Sequence, residues 1–132
     1  MGKCKAIIQV PIYKKAVLLY CGSERELLKT VRRDLGEEVE EEVRNGLGEE
    51  ERYEGITLMT STNDVIVHLP EKPKNSKGIS TLTHELFHAS SFILEGAGIH
   101  HTNDTEEAYA YLLEYLMAEA LDSLKISFCP AP

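Results

Sequence analysis

Between Ile79 and Leu94 the chain repeats apolar residues at the spacing of one helix face, with Ile79, Leu82, Leu86 and Ile93 forming the stripe of a helix expected from roughly Ser80 to Leu94. Such a stripe has to be buried, so the segment calls for a second layer packed over it. The same helix carries His84-Glu85-Leu86-Phe87-His88. Residues four apart on a helix face the same way, roughly 5–6 Å apart at Cβ. Two imidazoles so placed can each direct a ring nitrogen at one ion about 2.0–2.1 Å away. Glu85 lies about 100° round the helix from His84, where it reaches a water on the metal rather than the metal itself.

Strands precede this helix in two hairpin-ready pairs. Ala6 to Ile12 and Ala16 to Cys21 are apolar and β-branched, and the short Tyr13-Lys14-Lys15 link predicts antiparallel pairing. Pro11 has no N–H to give a ladder, so the first run belongs at a sheet edge or ends early. Gly55 to Thr60 and Val65 to Leu69 flank the turn formers Ser61 to Asp64. Between the pairs, Ser23 and Glu26 form a capping box, and Leu27, Leu28, Val31 and Leu35 recur at helical spacing, so a helix is expected from Glu24 to Asp34, stopped by Gly36. The glutamate-dense stretch from Glu37 to Glu54 reads as a solvated helix or mobile loop. A last helix is expected from Asp104 to Leu124, capped by Asp104 or Thr105. The expected class is α+β: a small, mainly antiparallel sheet packed on helices, in one domain over residues 1–132.

The formal net charge of -8 disfavours nucleic acid as a partner and favours basic peptides or protein segments. No apolar run approaches the ~20 residues of a membrane helix, and the N-terminal residues lack a signal-peptide pattern; a cytoplasmic location, away from membranes, is expected. Cys4, Cys21 and Cys129 are odd in number and form no C-x-x-C pair. This argues against a disulfide scaffold or thiolate zinc site and suits a reducing compartment.

A tetrahedral catalytic zinc needs a third protein ligand and leaves one position to water. Glu107, Glu106, His100, His101 and Asp104 are the downstream candidates. The long form H-E-x-x-H-x-x-G-x-x-H is excluded, because Ser91 and Leu94 occupy its Gly and His positions. The run Thr83-His-Glu-Leu-Phe-His-Ala89, followed by Glu107-Ala-Tyr-Ala-Tyr-Leu-Leu113, resembles the gluzincin group of zinc peptidases. It looks closest to small metallopeptidases of bacteriophages and bacterial mobile elements. The likeness covers roughly Ser80 to Leu121 and implies a zincin-like fold, one zinc ion per chain and Glu107 as third ligand. A His in that role would resemble SprT-like proteases, an Asp the aspzincins. Some gluzincins carry an acid four positions after the ligand; here that position is Tyr111, which leaves Asp104, Glu114 or a backbone carbonyl to orient an imidazole.

The expected chemistry is peptide hydrolysis, with His84, His88 and Glu107 on zinc and Glu85 as general base. An extended peptide would lie on an exposed edge strand, for which Val65–Leu69 is the expected candidate. His68 on that strand is either a substrate contact or a surface histidine. Tyr109, Tyr111 and Tyr115 are expected in the core rather than in catalysis. Two competing functions stand: a catalytically silent zinc-binding module, and an acidic interaction protein motivated by the net charge and the Glu37–Glu54 run.

Overall fold

A computed structural model describes residues 3–48 and 53–128. Strand β1 (Cys4–Val10) alternates outward Lys5, Ile7 and Gln9 with buried Ala6, Ile8 and Val10. It stops where Pro11 opens a single 3-10 turn, and Lys14, at φ 56, redirects the chain into β2 (Lys15–Cys21). β1 is also a sheet edge, so both expected consequences of Pro11 hold together.

Ser23 then caps α1 (Glu24–Leu35), accepting a hydrogen bond from the Glu26 backbone N–H at 3.1 Å. Gly36, at φ 100, ends it and starts α2 (Glu37–Leu47). The acidic run is therefore in part an amphipathic helix, with Val39, Val43 and Leu47 buried at helical spacing and the glutamates on the outside. The apolar signal is only three residues deep, which is why glutamate density hid it. Residues 49–52 of that run lie outside the described residues.

β3 (Ile56–Met59) and β4 (Val65–Leu69) form the second antiparallel pair. The two pairs join through a parallel contact between β2 and β4, giving the order β1-β2-β4-β3. The sheet is thus mixed, and its central contact departs from the antiparallel expectation. The two inner strands read as nearly unbroken apolar runs, the pattern of strands covered on both faces. Helices do cover both faces. Leu18, Tyr20 and Ile66 pack with Leu27, Val31, Val39, Val43 and Leu47 of α1 and α2. On the other face Val17, Leu19, Val65 and Val67 meet α3 (Ser76–Gly96) and α4 (Glu106–Ser123).

α3 starts one turn earlier than its apolar stripe suggests, because Asn75 accepts from the Gly78 N–H at 3.0 Å and caps it. Leu82, Leu86 and Ile93 on its inner face have no exposed surface, each stabilising the fold by roughly 1.5–3 kcal/mol. Thr105 stands at the α4 cap position without a side-chain cap bond; its hydroxyl donates to the His100 carbonyl. Among the described residues no helix is long and apolar enough to cross a membrane.

Candidate metal centre

Helical spacing alone brings the two histidines together. With Leu82, Leu86, Ala89 and Ile93 turned inward, His84 and His88 face outward one above the other and are exposed. Their rings stand edge to face, with centroids 4.8 Å apart and an interplanar angle of 78°. The two Nε2 atoms are 3.3 Å apart. Two nitrogens each about 2.0–2.1 Å from one tetrahedral ion are themselves separated by roughly 3.3–3.4 Å. The separation matches that spacing, and it equally suits an N–H···N hydrogen bond from one ring to the other.

Glu85 behaves differently from its neighbours in sequence. It is only 6% exposed, and the Thr57 hydroxyl of β3 lies 2.6 Å from its Oε1 and 3.1 Å from its own carbonyl oxygen. Thr57 so leaves Oε2 free of any hydrogen bond among the described residues. Gly55 makes room for this arrangement. A Cβ there would stand 2.9 Å from Glu85 Cγ and 3.0 Å from both Leu69 Cδ2 and Thr81 Cγ2. Neither Thr57 nor Gly55 stood out in the sequence, since each is an ordinary strand or turn residue until its packing against α3 is known.

Glu85 and His84 open onto one depression of about 460 Å³, which is also lined by Lys77 and Glu54, an ion pair at 2.7 Å. A larger cleft of about 720 Å³ adjoins it, sharing Glu54, Lys77 and Thr81 and reaching back to Tyr53 and His68.

Two expectations fail at that cleft. Val65–Leu69 is not an edge strand: β4 lies between β2 and β3, with all five residues buried. Its pairing on both sides leaves no free backbone groups for a peptide. The strands with one side unpaired among the described residues are β1 and β3, and of these β3 carries Thr57. His68 is not a surface histidine either, being 2% exposed. Its Nε2 lies 2.6 Å from the Gly22 carbonyl oxygen, which can only accept, so Nε2 carries the proton. Nδ1 then accepts from the Tyr53 hydroxyl at 2.6 Å. Burial holds the imidazole below its usual range, opposed by the Gly22 hydrogen bond and by the charge of Glu24. The Tyr53 phenol is pushed up, by burial first and by Glu24 second. Both ring nitrogens are thereby engaged inside the protein.

The third-ligand candidates do not gather at the pair. Among the described residues no group of three His, Cys, Asp or Glu side chains is placed to hold a metal. His100, Asp104, Glu106 and Glu107 are exposed, and His101 packs edge-on against Tyr109 with ring centroids 4.7 Å apart. The length of α3 explains this. It runs eight residues past His88, to Gly96, or about 12 Å, before the chain turns back. The Thr83 hydroxyl meets Met117 Sδ at 3.6 Å, and the Phe87 and Tyr109 centroids are 6.3 Å apart. The stretch of α4 level with the histidines is therefore Tyr109 to Met117, whose single carboxylate is Glu114. Glu107 lies below it and about 160° round α4 from the buried Tyr109. Tyr109 joins the core as expected, whereas Tyr111 is exposed and Tyr115 donates to the Gln9 carbonyl.

No family model, curated protein or solved structure matches the chain.

Proposed function

We propose that the chain is a zinc-dependent peptidase, with His84 and His88 as metal ligands and Glu85 as general base. What carries the reading is the 3.3 Å separation of the two Nε2 atoms, on a helix whose Glu85 carboxylate is held by a strand and lines one depression with His84. A hydrogen bond between the two rings would account for the separation, but it does not call for the acid between them.

Zinc held there supplies Lewis-acid polarisation of the scissile carbonyl and draws the pKa of water toward ~7. Glu85 takes a proton at Oε2, the oxygen Thr57 leaves free, and passes it to the leaving amine. Thr57 fixes the other oxygen, so the carboxylate keeps its aim while its proton comes and goes. An extended peptide lies along the open side of β3, where main-chain hydrogen bonds position it without reading sequence. Basic segments are favoured by the net charge of -8.

The third ligand divides the reading. Resemblance to gluzincins nominates Glu107; Glu114 is level with the histidines but, at about 140° round α4 from the buried Tyr109, stands on the same outer side as Glu107. Substituting each by Gln and measuring bound zinc separates them, since removal of a ligand lowers affinity by more than about 100-fold.

The central test measures metal content and peptide hydrolysis together. Purified protein should hold close to one zinc per chain, and His84→Ala should lose it. Glu85→Gln should keep the metal and lower hydrolysis by about 10²–10⁴-fold. Full hydrolysis by the Gln variant ends the assignment of the base. A zinc-binding module without turnover is the alternative, and it would need a closed fourth coordination position in place of the open one. Wild-type protein that binds zinc and cleaves no peptide library would establish that alternative.

A further inference from the structure

Cys4 and Cys21 are far apart in sequence but are direct partners in the β1–β2 register. Residues directly opposite in an antiparallel pair share a sheet face and have Cα atoms about 4.5–5.5 Å apart. A disulfide spans roughly 4.4–6.8 Å between Cα atoms, so strand pairing alone puts the two thiols within bonding reach. Both lie on the face covered by α3 and α4, Cys21 fully buried and Cys4 half-exposed beside it. They are the last pair of the ladder, at the end opposite the 3-10 turn.

We propose that Cys4 and Cys21 form a redox-active dithiol that low-molecular-weight disulfides, such as oxidised glutathione, convert into an intramolecular disulfide. The two sulfurs are unequal in the way such a reaction requires. The neighbouring Cys21 holds the Cys4 thiol below its usual range; burial opposes this and the nearby Lys72 charge assists. Cys21 is raised, first by its neighbour Cys4 and then by burial. Cys4 is the accessible attacker and Cys21 the resolving partner.

In the first step the Cys4 thiolate attacks one sulfur of oxidised glutathione, whose S–S bond breaks, and one glutathione leaves as its thiolate. Cys21 then gives its proton to solvent and attacks the Cys4 sulfur, expelling the second glutathione. Both leaving thiolates take up protons from water. The dithiol has lost two electrons and two protons, and oxidised glutathione has become two reduced molecules. Burial of Cys21 does not block its step, which is internal to the chain. The new bond would fasten β1 to β2 beside Gly22, whose carbonyl anchors His68 in the larger cleft.

The test is independent of the peptidase reading. The full chain is equilibrated with mixtures of oxidised and reduced glutathione, its remaining thiols are alkylated, and intact mass and peptide maps are recorded. The expected product is lighter by two hydrogens than the reduced chain, with the Cys4 and Cys21 peptides joined and Cys129 outside the bond. Cys21→Ser should hold one glutathione on Cys4, and Cys4→Ser should leave Cys21 unreacted in the folded chain. The oxidised wild type should melt several degrees higher than the reduced form, and added dithiothreitol should reverse the shift. Alkylation of both Cys4 and Cys21 after excess oxidised glutathione overturns the proposal. So does a bond from either of them to Cys129. Should the Cys21 variant fail to fold, the wild-type map decides the matter by itself.

Discussion

His68 and His84 border adjoining clefts, and His68 and the His84–His88 pair use the same ring in opposite ways. Both nitrogens of His68 are spent inside the protein, one on the Gly22 carbonyl and the other on the Tyr53 hydroxyl. The nitrogens of His84 and His88 that matter most point at each other, and both side chains are exposed. An imidazole with two protein partners is a structural crosslink, held neutral by burial. A pair whose lone pairs converge 3.3 Å apart needs a proton or a cation between them. Histidine content therefore says little about metal binding; the partner of each ring nitrogen says much more.

Exchanging the roles is the strongest challenge to this contrast. His84→Ala should lower zinc affinity by more than about 100-fold, while the metal-free protein unfolds at nearly the wild-type denaturant midpoint. His68→Phe should do the reverse. It keeps the zinc but leaves the Gly22 carbonyl and Tyr53 hydroxyl without their partner, at a cost of about 1–3 kcal/mol in the same titration. Equal zinc loss in the two variants would erase the distinction.

Gly55→Ala probes the space that lets Glu85 occupy its place. The added methyl collides with Glu85, Leu69 and Thr81, so the acid must shift. Hydrolysis should fall about 10–100-fold with zinc content unchanged, as a displacement near 1 Å at a reacting group costs about that much. Unchanged kcat would mean that Glu85 does not act from its observed position. Thr57→Val is milder: loss of the hydroxyl should lower kcat by roughly 10-fold and leave KM near its wild-type value, with about 1 kcal/mol of stability lost.

The smallest expected effect is one of pH. His68 titrates lower in the folded chain than in the unfolded chain, so in acid the unfolded state binds the extra proton. Its contribution to stability is complete above the unfolded value of about 6.5 and is lost as pH falls through the folded one. Denaturant midpoints across pH 7.5 to 5 should decline less in His68→Phe than in wild type. A steeper decline in the variant would contradict the neutral, doubly bonded ring.

Much of the architecture was legible along the chain because its signals are local. Period-2 and period-3.6 patterning, Ser23, Gly36 and Pro11 located strands, helix ends and one sheet edge, each through the backbone chemistry of a few adjacent residues. The His84–His88 pair belongs to the same class, since one helical turn is enough to align two side chains. Val39, Val43 and Leu47 were obscured by the glutamates among them, although the helical period was present.

What only the tertiary structure decided depends on distant segments meeting. The parallel contact of β2 with β4 turned Val65–Leu69 into an inner strand, buried His68 and handed the open edge to β3. The packing of β3 and the segment before it on α3 set Thr57 and Gly55 against Glu85. The physical reason is range. A hydrogen-bonded turn or a helical face is complete within a few residues, whereas strand order is chosen by how two sheet faces bury their apolar residues at once, a property no single segment carries.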